Sequence, residues 1–177
     1  LAIEPQSPGL ADRIWWGAGS RATGQWAAEQ GMNLMSSTLL TEDTGVPCDE
    51  LQAEQIGMFR QAWATAGHHH EPRVSVSRSV LPIVDEEDRR FFGLSALREK
   101  RDQVGVIDGL VARFGRSYVG APDAIAEELA ADAAVRAADT LLLTVPNQLG
   151  VDFNAKLLGT VVRHIAPAIG WAPKLPI

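Results

Sequence analysis

Two periods of apolar residues alternate along the chain. Four short runs rich in β-branched, aromatic or leucine residues predict strands: RIWWGAG at 13–19, NLMSSTLL at 33–40, RVSVSRSVLPI at 73–83 and DTLLLTVP at 139–146. Helix-like stretches separate them. Residues 20–30 carry Ser20 as an N-cap and Gly31 as a stop. From Glu50 to Ala66, Leu51, Ile56, Phe59 and Trp63 recur at helical spacing, with Gly67 as a terminator. A third helix is expected from about Pro122 to Ala138, opened by a first-turn proline with Asp123 beside it, and a fourth from about Phe153 to Ile169. In the third strand Val74, Val76, Arg78 and Val80 share one face. The fourth strand is continuously apolar, as when both faces of a parallel sheet are covered. Residues 85–117 are charged and irregular and are expected to be helical with breaks at Gly93, Gly105 and Gly109. Residues 1–12 read as a lead-in and 170–177 as a tail.

Strand followed by helix, four times over, predicts parallel strands joined by right-handed crossovers. A doubly wound sheet and a (β/α)8 barrel both satisfy the pattern. A complete barrel takes about 250 residues, so four units in 177 residues correspond to half of one. That fits better than a small four-stranded sandwich, with residues 1–177 forming one unit.

Composition narrows the function classes. A content of 46% hydrophobic and 21% charged residues is that of a globular protein. Sixteen basic against 22 acidic residues give a net charge of −6, which argues against a nucleic-acid backbone binder. No apolar run nears the ~18–20 residues that span a bilayer, and no signal peptide opens the chain. Cys48 alone cannot form an internal disulfide, consistent with a reducing, cytoplasmic setting. Leu1 in first place instead of Met suggests a processed, cleaved or partial product.

Two features carry candidate chemistry. Gly17-Ala18-Gly19-Ser20 ends a strand and opens directly into a helix, so backbone N–H groups and the positive helix end converge, with hydroxyls of Ser20 and Thr23 one turn apart. Phosphate suits such a turn; a tight strand–helix connection with a capping serine is the plainer alternative. The spacing matches neither GxGxxG nor a Walker loop. Arg78, inside a strand of alternating valines, either meets an anion in an active-site cavity or pairs with an acid among residues 85–88. His68, His69 and His70 lack metal-ligand spacing and read as a solvated loop, so no metal is assigned. Cys48 has no nucleophile apparatus, and Trp15, Trp16 and Trp26 read as packing residues.

Taken in order, RIWWGAGSRATGQWAAEQGMNLMSSTLL, ELQAEQIGMFRQAWATAGH, PRVSVSRSV and SYVGAPDAIAEELAADAAVRAADTLLLTVPNQLG resemble the C-terminal half of the bacterial luciferase-like flavin-dependent monooxygenases and oxidoreductases. The resemblance implies a (β/α)8 TIM barrel represented by its fifth to eighth βα units, with an insertion at about 85–117. It implies reduced FMN, supplied by a flavin reductase, and oxygen acting together on a small organic substrate; the deazaflavin F420 is the alternative cofactor. The flavin phosphate is expected at Gly17, Ala18, Gly19, Ser20 and Thr23, and Arg78 at a catalytic position that some sulfonate-oxidising relatives share. The histidine that follows this arginine in those relatives is replaced here by Ser79 and Val80, which departs from a sulfonate substrate. The resemblance further implies a companion chain or N-terminal half carrying the other four strands, and an oligomer. A non-catalytic half-barrel subunit is the reading from outside the enzymes.

Overall fold

The computed structural model describes residues 7–42, 44–97, 102–107 and 109–172. Expectations for residues 1–6, 98–101 and 173–177 lie outside the described residues. The elements are β1 (Trp15–Ala18), α1 (Arg21–Glu29), β2 (Asn33–Ser36), β3 (Leu39–Leu40), α2 (Cys48–Ala66), β4 (Val74–Pro82), α3 (Glu86–Leu97), β5 (Gln103–Ile107), β6 (Leu110–Phe114), β7 (Tyr118–Gly120), α4 (Pro122–Ala131), α5 (Ala133–Ala137), β8 (Thr140–Thr144) and α6 (Val151–Thr160). Every pairing of the main sheet is parallel: β1 to β2, β2 to β4, and β4 to both β7 and β8. The nine-residue β4 takes three partners along its length, Val74–Val76 pairing with β2, Ser75–Ser79 with β8 and Val80–Pro82 with β7. The α/β expectation therefore holds, while the sheet stays open among the described residues and closes no barrel. No described helix is long and apolar enough to cross a membrane.

Alternation along the strands assigns their two faces. Ala18, Leu34, Val74 and Val76 are buried with Ala28 of α1 and Ile56, Phe59 and Trp63 of α2, and Val80 is buried with Ile125 and Leu129 of α4 and Phe153 and Leu157 of α6. These residues form the helix-covered face. The opposite face carries Gly17, Met35, Ser77, Leu142 and Thr144; Met35 and Leu142 remain 37% and 38% exposed, and the Ser77 and Thr144 hydroxyls lie 3.2 Å apart.

Local chemistry explains the boundaries. Gly31 ends α1 with φ 72° and Gly67 ends α2 with φ 69°, both left-handed positions that cost glycine little. Gly24 lets α1 approach α2, since a Cβ there would stand 2.9 Å from Cγ of Gln55.

Two expectations need correction. Residues 85–117 are not a broken helix: α3 runs through Gly93 unbroken, and Gln103–Phe114 forms an antiparallel hairpin paired to β3. The segments QVGVI and LVARF are β-branched and aromatic. Register pairs Ile107 with Leu110, and Gly109 next to that closing pair has φ 79°. The helix from 122 to 138 is two helices, because Asp132 leaves the helical conformation at ψ 117° and caps α5 by accepting from the Val135 amide.

Candidate functional site

The β1–α1 turn is built from small residues held by long ones. Ser20 caps α1: its Oγ accepts from the Thr23 amide at 3.2 Å and lies 2.8 Å from the Thr23 hydroxyl. The carbonyls beneath are tied to α2 through buried Gln55, whose Nε2 donates to the Ala18 oxygen at 3.1 Å and the Ser20 oxygen at 2.7 Å. The Gln55 Oε1 accepts in turn from Ser36 Oγ at 2.6 Å, so β1, β2 and α2 fix the turn together. Thr41, just past β3, donates its amide to the Gly19 oxygen at 2.9 Å. With the carbonyls taken, the amides of Gly19, Ser20 and Ala22 have no hydrogen-bond partner among the described residues. A Cβ at Gly17 would meet nothing within 4 Å, and one at Gly19 only the Leu39 carbonyl at 3.9 Å, so the approach is open.

This turn already attracts an anion from within the chain. Glu42 Oε2 accepts from the Arg21 amide at 3.2 Å and from Arg21 Nε at 3.1 Å, while Arg21 Nη1 reaches Glu54 Oε2 at 2.7 Å. The charge of Glu42 is the chief cause that raises the Arg21 pKa. Sequence reading found Gly17, Ala18, Gly19, Ser20 and Thr23, and the structure brings them together in one turn. It missed Arg21, Glu42 and Gln55, whose roles depend on loop and helix placement.

Arg78 lies elsewhere. It shares the helix-covered face of β4 with Val76 and Val80 and is buried between the two apolar clusters. Its Nε and Nη2 donate to Asp132 Oδ2 at 2.7 Å and Oδ1 at 3.0 Å, a bidentate pair with side chains 4% and 0% exposed. The Tyr118 hydroxyl donates to the same carboxylate. Burial alone would raise the Asp132 pKa, but the Arg78 hydrogen bonds and charge outweigh it and hold the carboxyl below its ordinary range. Burial also lowers the Arg78 pKa, and Asp132 more than reverses that. Tyr118 is pushed up to about 12 by burial and by Asp132. The acids expected as partners for Arg78 are engaged otherwise: Asp85 and Glu87 with Lys156, and Glu86 with Arg89. An open cleft of about 390 Å³ lined by Pro47, Asp49, Arg113, Arg116 and Tyr118 also reaches Arg78 and Asp132.

The remaining candidates are structural. His68 and His70 flank Trp63 with ring centroids 4.5 and 4.8 Å away, and His68 Nε2 lies 2.7 Å from the Ala28 carbonyl, so these two rings pack against α2 while His69 of the expected solvated loop stays exposed. Trp16 meets Trp26 edge to face at 4.9 Å, and Arg73 lies 5.0 Å from the Trp15 ring. Cys48 is buried at the start of α2, and burial, helped by Asp102, pushes its thiol up to about 12.

Over 87% of its own length and 47% of the other's, the chain superposes on the monooxygenase RslO1 of Streptomyces bottropensis, with TM-score 0.58 and 16% identity. Over 90% and 49% it superposes on the type II Baeyer–Villiger monooxygenase that is the oxygenating constituent of 3,6-diketocamphane monooxygenase of Pseudomonas putida, in complex with FMN, with TM-score 0.57 and 14% identity. Over the matched part, the chain shares the fold of these monooxygenases. It spans about half their length. At this identity the likeness is one of fold, and neither a family model nor a curated protein sequence matches the chain.

Proposed function

We propose that this chain is the C-terminal half of a luciferase-like (β/α)8 barrel and part of a flavin-dependent monooxygenase, in which the β1–α1 turn binds the terminal phosphate of FMN. The observation that carries the reading is the turn itself: three unpartnered amides at the positive end of α1, beside small residues, with a carboxylate of the chain already drawn to that end. Glu42 acts as a stand-in anion, so the donors fit a phosphate. Likeness to a monooxygenase that holds FMN supports flavin as the ligand.

Bound FMN in its reduced form would supply the electrons and the activation of oxygen for attack on a small organic substrate. The residues of this chain would bind and orient. Gly19, Ser20 and Ala22 would donate backbone hydrogen bonds to the phosphate, Ser20 and Thr23 would offer hydroxyls, and Gln55 would keep the turn in place. The uncovered sheet face with Met35, Ser77, Leu142 and Thr144 would become the barrel interior once a companion chain or N-terminal half supplies four more strands. A reductase partner and oligomeric assembly belong to the same reading. The buried pair with Asp132 supports a structural role for Arg78 in place of a catalytic one.

Flavin binding to the chain reconstituted with a polypeptide of about 150–200 residues carrying the missing strands tests the reading. FMN should bind far more tightly than riboflavin, which lacks the phosphate. Ser20→Ala with Thr23→Ala should weaken FMN by roughly 1–3 kcal/mol without abolishing it, since the amides remain. Equal affinity for the two flavins overturns the proposal.

A further inference from the structure

The contact between Arg21 and Glu42 sets a carboxylate at the same end of α1 that the phosphate would use. One oxygen of Glu42, Oε2, accepts from both the Arg21 amide and the Arg21 guanidinium, at 3.2 and 3.1 Å. Arg21 is further held by Glu54 at 2.7 Å. The local account is then one guanidinium and a partial positive helix end against two carboxylates, which leaves no net attraction for a second anion. A phosphate that approached with Glu42 in place would meet like charge at hydrogen-bond distance. The loop beside it is anchored independently, because Thr41 donates its amide to the Gly19 oxygen at 2.9 Å and its hydroxyl to the same oxygen at 3.3 Å. Rotation of the Glu42 side chain therefore clears the site without any opening of the loop.

Resting on the phosphate reading of this turn, we propose that Glu42 is a built-in occupant of the anion position, which an arriving phosphate dianion displaces, taking over the Arg21 amide and guanidinium. Arg21 is then a phosphate-binding residue in the loaded state, and the pair sets specificity. A ligand with about two negative charges outcompetes one tethered carboxylate, whereas a neutral flavin leaves Glu42 seated. The exchange also keeps the Arg21 amide and guanidinium paired when no ligand is present.

Inorganic phosphate tests the exchange on the chain alone, since it needs no ring pocket. Backbone amide NMR shifts of Gly19, Ser20, Arg21 and Ala22 are followed during titration at constant ionic strength, for wild type, Glu42→Gln and Glu54→Gln. Glu42→Gln keeps an oxygen acceptor for the Arg21 amide and removes the charge, so half-saturation should fall about tenfold. Glu54 touches only the guanidinium, and Glu54→Gln should shift it much less. In wild type the carbon-13 resonance of the Glu42 carboxyl should move as phosphate saturates. Equal phosphate affinity in wild type and Glu42→Gln, with a carboxyl resonance that stays still, overturns the exchange while leaving the phosphate site intact. If phosphate moves none of these amides in any of the proteins, the phosphate reading of the turn fails first, and the exchange with it.

Discussion

Replacing Arg78 by alanine should unfold this protein more readily, by a predictable amount. The guanidinium and the Asp132 carboxylate are both buried and bonded in bidentate fashion at 2.7 and 3.0 Å. Removing one partner of such a pair leaves an uncompensated charge and costs about 3–5 kcal/mol. Asp132 keeps two donors in the variant, the Tyr118 hydroxyl and the Val135 amide, which places the loss near the lower end, about 3 kcal/mol. At roughly 2–4 °C per kcal/mol for a chain of this size, Tm should drop by about 6–12 °C. Urea unfolding followed by circular dichroism and tryptophan fluorescence, at one protein concentration, measures it. Arg78→Lys should recover only part, because an ammonium cannot form the fork. Arg78→Ala within about 0.5 kcal/mol of wild type, the range of an ordinary surface change, would refute the argument.

Other expectations follow from the same contacts. Asp132 titrates below the ordinary carboxylate range, so its contribution is complete above about pH 4 and is lost as pH falls through its lower folded value; Asp132→Asn should flatten acid unfolding in that window. Gln55→Leu strands the Ser36 hydroxyl and the Ala18 and Ser20 carbonyls, and should cost about 1–3 kcal/mol in urea melts while weakening FMN binding. The Cys48 thiol, pushed up to about 12, should resist thiol reagents at pH 8 in the native protein and react at once in denaturant. With Met35 and Leu142 on an uncovered face, the chain without a companion should associate, which light scattering during gel filtration would reveal as a mass above 19.1 kDa.

The parallel βα units were legible because each strand is a short apolar run with a glycine or polar boundary, and because Ser20 and Gly31 mark both ends of α1. The phosphate-type turn was legible for a related reason: Gly17, Ala18, Gly19 and Ser20 lie adjacent in sequence, so no tertiary knowledge was needed to place them together. Glu42 was not. It reaches the turn only because β3 joins the side sheet and Thr41 bonds back to Gly19. Asp132 was hidden inside an alanine-rich stretch that reads as continuous helix, and its partner Arg78 lies 54 positions away. The strands Gln103–Ile107 and Leu110–Phe114 are less legible, because the charges and glycines around these β-branched runs suggest a broken helix instead.

The ratio of FMN to riboflavin affinity in the reconstituted barrel reports whether the first turn of α1 binds the phosphate of FMN. Gly19 has room for a side chain, its nearest neighbour being the Leu39 carbonyl at 3.9 Å from a Cβ, so Gly19→Glu should fold and yet set a carboxylate against the dianion. The wild-type ratio should favour FMN by at least tenfold, equivalent to about 1.4 kcal/mol, and Gly19→Glu should reduce it to near unity with riboflavin affinity little changed. A wild-type ratio near unity, or a ratio that Gly19→Glu leaves untouched, would place the phosphate elsewhere.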